Sequence, residues 1–159
     1  MLYWEAVRTR IGKPWMDSGR DTPGVDCFGL IIQSGRDIGI DMDPRNEYSR
    51  RTPPSKMANQ ILQFTQLIRP QGRAMIDGPI DRKELREDRI QYTVTDLLPS
   101  DILVYQRPAQ DVHLGVVTPG DLKSPLYVVY TAFRDQVKEV PIQVTGLQYR
   151  WVFRLPNQS

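Results

Sequence analysis

The apolar pattern changes period once, near residue 100, and that switch constrains the fold more than any other feature of the chain. Before it, apolar residues recur at helical spacing. Trp4, Val7 and Ile11 predict a short helix over 2–11 that ends at Gly12. Cys27, Ile31, Ser34 and Ile38, with Phe28 and Leu30 alongside, predict a second helix starting near Asp26, where Asp26 or Val25 falls at the cap. Met57, Ile61, Phe64 and Ile68 predict a third, capped by Ser55 and stopped by Pro70. After the switch, short apolar runs between turn residues predict strands over 101–105, 112–117, 126–133, 137–140 and 149–155. Helices first and strands after predict an α+β fold whose sheet is mostly antiparallel.

The chain has 159 residues, about one domain's worth, so 1–159 is read as a single domain. Residues 13–24 and 39–54 are rich in turn formers, and 71–95 carries a charged run, Asp81 to Glu87, that suits a helical turn or two or a small hairpin. With 40% hydrophobic and 25% charged residues, the chain is neither disordered nor fibrous. No apolar run is long enough to span a membrane, and residues 1–8 lack the basic head and apolar stretch of a secretory signal. A net charge of +2, with basic residues scattered, argues against a nucleic-acid partner.

Reactive residues are scarce, which narrows the chemistry. There is one cysteine, Cys27, and one histidine, His113. They can form neither an internal disulfide nor a zinc site built from cysteines and histidines. Cys27 falls in the first turn of the second predicted helix, where the helix N-terminus favours thiolate over thiol. His113 falls on a predicted strand and can supply a general base and then a general acid. A third residue would orient the imidazole. Tyr130 and Thr131, on the following strand, are the candidates; they point to opposite faces, so only one can reach His113. Taken singly, a free cysteine is more often a small buried hydrophobe, Asp26 more often a helix cap, and Trp15 as often packing as substrate groove.

Three blocks add a resemblance. Gly24-Val25-Asp26-Cys27-Phe28-Gly29-Leu30, preceded by Pro14-Trp15, resembles the Asp-Cys-x-Gly-Leu signature of the NlpC-type cell-wall peptidases, a papain-like superfamily. Pro99-Ser100-Asp101-Ile102-Leu103 resembles their Pro-Gly-Asp block, with Ser100 in the glycine position. His113-Leu114-Gly115-Val116-Val117 resembles their His-x-Gly strand. Tyr48-Ser49-Arg50-Arg51 and Phe153-Arg154-Leu155-Pro156 are similar to stretches of the short members found in phage and gene-transfer-agent tail modules.

This resemblance implies a papain-like fold, with the N-terminal helices packed on a C-terminal sheet. It implies a cysteine endopeptidase that cuts peptidoglycan stem peptides and opens the cell wall from a tail tip during genome delivery. Cys27 would be the nucleophile, His113 the base, and Thr131 the third residue, with Tyr130 as its alternative. Trp15 and Asp26 are the substrate-binding candidates. No cofactor and no metal are implied. The expected partners are the stem peptides and other tail-tip or baseplate hub proteins, and the expected location is the virion tail tip. Residues 69–95 read as an insertion that packs on neighbours in an assembly. The competing expectation is a structural tail-tip subunit that keeps the fold with little or no activity.

Overall fold

The computed structural model describes residues 1–19, 21, 23–43, 63–70, 97–106, 112–142 and 151–156. Tyr48, Ser49, Arg50 and Arg51, the first half of the expected third helix (through residue 62) and the 81–87 charged run lie outside the described residues. Two helices, α1 (Tyr3–Arg8) and α2 (Cys27–Asp37), come first. Among the described residues six strands follow: β1 (Gln66–Pro70), β2 (Ile102–Gln106), β3 (Val112–Pro119), β4 (Leu126–Thr131), β5 (Val137–Pro141) and β6 (Trp151–Arg154). They form one sheet in the order β1-β6-β2-β3-β4-β5, with every neighbouring pair antiparallel. The molecule is therefore a mixed helix and antiparallel-sheet fold with its helices near the N-terminus. The five strands expected after residue 100 coincide with β2 to β6 to within two residues.

The expected third helix is wrong at its C-terminal end, where Gln66–Pro70 is strand β1, paired with β6. A short apolar pair such as Leu67-Ile68 suits either period, and partnership with β6 decides it. Pro70, read as a helix stop, instead closes an edge strand opposite Trp151, and edge strands are where a sheet tolerates proline. β1 also takes in Arg69 and Pro70, the first residues of the stretch read as an insertion.

Helix α1 is shorter than expected and turned by one residue. It buries Tyr3, Ala6 and Val7, and it ends before Ile11, which is exposed. The Glu5 carboxylate reaches back to accept from the Leu2 N–H at 2.7 Å and so fixes where the helix begins. Helix α2 is buried around most of its first two turns, from Phe28 through Ile32, and it packs across β3 and β4.

Both faces of the sheet are covered. Ile102, Val104, Leu114, Val116, Val129 and Phe153 join the helices in one core, while Leu103, Val117, Val128 and Val152 form a second cluster on the other face with Leu97, Leu126 and Ile142. Successive strand residues point to opposite faces, so two buried faces require continuous apolar runs such as Ile102-Leu103-Val104 in place of alternation. At the head of β2, the fully buried Asp101 takes a two-pronged ion pair from Arg154 at 2.7 and 2.8 Å, which locks β2 to β6. The residue before it, Ser100, sits at φ 79°, in the left-handed region that favours glycine. Its hydroxyl accepts from the Trp4 N–H at 3.1 Å, which gives a serine a reason to stand there.

Candidate active site

The site is built around the first turn of α2. Asp26 leaves the extended region at φ −94°, ψ −172° and caps the helix, its Oδ1 accepting from the Gly29 N–H at 2.7 Å. Its Oδ2 accepts from the Ser18 N–H at 2.9 Å, so the same carboxylate also anchors the preceding loop. Asp26 is thus the helix cap, and its carboxylate is directed at backbone. Cys27 follows as the first residue of the helix, half-buried against the core, where the helix dipole favours its thiolate form.

The glycine of the Asp-Cys-x-Gly block has a steric cause. A Cβ on Gly29 would lie 2.1 Å from the Gly19 carbonyl oxygen, and one on Gly24 would lie 2.1 Å from that of Pro14. The loop is laid flush on the helix start, and only glycine leaves the room. This places Trp15 in a parallel bridge with Val25, two residues before Cys27. The Trp15 N–H donates to the Asp135 carbonyl at 2.9 Å, which joins the loop to the turn after β4.

The sheet contributes His113 and the two candidates for a third residue. His113 lies on β3 opposite Tyr105 and is half-buried. The Tyr130 ring meets the His113 ring edge-on, with centroids 5.6 Å apart and planes at 80°. Thr131, 2% exposed, turns the other way, and its Oγ1 donates to the Asp26 carbonyl at 3.2 Å. That carbonyl also accepts the first helical bond, from the Leu30 N–H at 3.0 Å. Thr131 therefore meets the Asp26–Cys27 peptide on the face where α2 packs, with Val129, Leu114 and Val116, whereas His113 and Tyr130 meet each other on the opposite face, which Val117 and Val128 share.

One flank of the site was not foreseen. The β4–β5 turn is closed by the Ala132 N–H on the Gln136 carbonyl at 2.9 Å and the Asp135 N–H on the Ala132 carbonyl at 3.0 Å. It presents Phe133, 68% exposed, edge-on to Trp15 at 4.9 Å, with the Arg134 guanidinium 5.1 Å over the Phe133 ring. An exposed aromatic packed on the Trp15 loop is a contact surface in waiting. Its signal in the sequence, a Phe-Arg pair just past an apolar strand, is too common to single out.

A buried cation was missed too. Arg10, 4% exposed, grips Asp21 at 2.7 and 2.9 Å and Asp37 at 2.6 Å, and so ties the end of α1, the loop and the end of α2 together. Burial works against its charge, but its bonds to the two carboxylates prevail and hold it protonated. The Arg10 bond in turn pulls the Asp21 carboxyl below the usual carboxylate range, against a smaller opposing effect of burial. Among the described residues, no group of three His, Cys, Asp or Glu could hold a metal, and no helix is long and apolar enough to cross a membrane. The sequence matches no family model, and no curated protein matches it significantly.

Proposed function

We propose that the protein is a papain-like cysteine endopeptidase of the NlpC type that cleaves peptidoglycan stem peptides, acting at the tip of a phage-like tail. One observation carries the proposal. The chain's only cysteine opens a capped, buried helix, and that helix packs on the strand bearing its only histidine. The order of the two blocks and their local motifs support the family.

In this reading the Cys27 thiolate attacks the scissile carbonyl, and the partial positive charge at the α2 start stabilises the oxyanion. His113, protonated, gives its proton to the leaving amine as the acyl-enzyme forms. It then takes a proton from the water that attacks the thioester, releasing the new carboxylate and the thiol. Trp15, Phe133 and Arg134 form the flank on which an anionic stem peptide lies, with Arg134 as its counter-charge and the rings beneath its apolar groups.

Mass spectrometry of peptidoglycan digested with wild-type protein and with Cys27→Ala tests the proposal. New stem-peptide fragments from the wild type alone are expected, and their masses identify the bond. Fragments from both proteins at equal rates sink the mechanism. No fragments from either, with purified protein and then with whole particles, favour a structural tail-tip subunit.

A further inference from the structure

We propose that Thr131 is a positioning residue for the nucleophile and not the residue that orients His113. The inference rests on the cysteine-peptidase reading. Thr131 is buried at the end of β4, and its hydroxyl hydrogen goes to the Asp26 carbonyl, 105 residues away in sequence. The ring against His113 is that of Tyr130, and strand alternation sends neighbouring side chains to opposite faces.

The bond is not needed to rescue an orphaned carbonyl. The Asp26 oxygen already accepts from the Leu30 N–H, as the first acceptor of a helix does. What Thr131 adds is a tie between the sheet and the Asp26–Cys27 peptide. That peptide is planar, so fixing its oxygen fixes where the Cys27 N and Cα leave it, and the helical backbone carries that placement to the side chain. The Asp26 carboxylate is held by the Ser18 N–H of the loop and the Gly29 N–H of the helix, and Thr131 supplies the hold on the sheet side. Without it the helix stays capped, but its first residue loses its fixed place relative to the strands that carry the base.

This predicts a separation of two reactions. Acylation needs thiolate, imidazole and acyl carbon in one geometry, and misplacement by about 1 Å can cost on the order of a hundredfold. Alkylation by iodoacetamide needs the thiolate alone. Wild type, Thr131→Val and Thr131→Ser are compared in both, as the burst of nitrophenolate from p-nitrophenyl acetate and as alkylation between about pH 4 and 10. The ionisable groups on the surrounding elements are unchanged in every variant: Asp26 at the helix cap, His113 on β3, Tyr130 on β4, Lys138 on β5 and Asp135 in the turn.

Thr131→Val is expected to acylate about tenfold more slowly, within the range a small displacement allows. Its alkylation profile is expected to keep its midpoint, and Thr131→Ser is expected to restore acylation. Thr131→Ala is read in the same way if the valine does not fold. A midpoint that moves with the loss of acylation would show Thr131 acting through His113 and overturn the inference. So would unchanged acylation, or a serine that fails to rescue. A wild type that acylates no faster than free cysteine would bring down the peptidase reading itself, and the inference with it.

Discussion

The two ends of α2 are fastened by opposite means. At the C-terminal end, Asp37 meets the buried Arg10 guanidinium, which also holds Asp21 and the Ala6 carbonyl. At the N-terminal end, the Gly29 and Ser18 N–H groups and the Thr131 hydroxyl, all neutral donors, hold Asp26. A full charge is a strong fastener but imposes its field on every titrating group nearby. Neutral donors fix the geometry around Cys27 without adding a cation beside it, and the charge they hold is the Asp26 carboxylate of the cap. The C-terminal end should therefore govern stability and the N-terminal end reactivity.

Arg10→Met tests the first half and carries the largest expected effect. Breaking a buried ion pair typically costs about 3–5 kcal/mol, because the remaining charge is stranded. Here the stranded carboxylates, Asp21 and Asp37, have side chains 27% and 40% exposed and can rehydrate. The expected loss is therefore about 2–3 kcal/mol in urea unfolding, with the Cys27 alkylation profile unchanged in the folded protein. A shifted profile would show that the two ends are coupled and would break the comparison.

Gly29→Ala tests the second half. The new methyl meets a backbone oxygen, which cannot rotate away as a side chain could, so the 16–19 loop or the helix start must shift. Overpacking of this kind costs about 1–3 kcal/mol, and the exposed side of the loop keeps it near the lower end. Unlike Arg10→Met, this variant is expected to slow both acylation and alkylation of Cys27, since it disturbs the capped turn itself. Normal reactivity at reduced stability would show that the loop can be displaced without moving the nucleophile.

The same contrast explains what was legible in the sequence. The N-terminal end of α2 could be read because its determinants are local: Asp26 caps a helix three residues away, and the glycines mark a tight approach. The strands after residue 100 could be read because their apolar runs fill two buried faces. Arg10 could not, because its partners lie 11 and 27 residues away and a charge in a scattered set reads as surface. The bond from Thr131 to Asp26 could not either. It joins two separately legible elements through one hydroxyl, and such a contact leaves no periodic trace. β1 failed for a third reason: its local pattern was ambiguous, and its identity came from pairing with β6, far along the chain.

The smallest expected effect separates the charge of the Arg10 cluster from its packing. The Asp21 carboxyl is held below its ordinary value by the Arg10 bond, with burial opposing. A carboxyl depressed in the folded state stabilises the fold above its unfolded value of about 3.9, and that contribution fades as the pH falls through the depressed value. Asp21→Asn keeps the shape of the side chain and removes the charge. It should unfold at lower urea than wild type at pH 7, and the gap should narrow steadily below about pH 4, as wild-type Asp21 becomes protonated and resembles the amide. In an Arg10→Met background the narrowing should shrink to the smaller part that Lys13, 3.2 Å from the same carboxylate, still supplies. A gap that stays constant from neutral to acid pH would mean that Arg10 holds this end of α2 by packing and hydrogen-bond geometry, and the contrast between a cationic and a neutral fastener would have to be withdrawn.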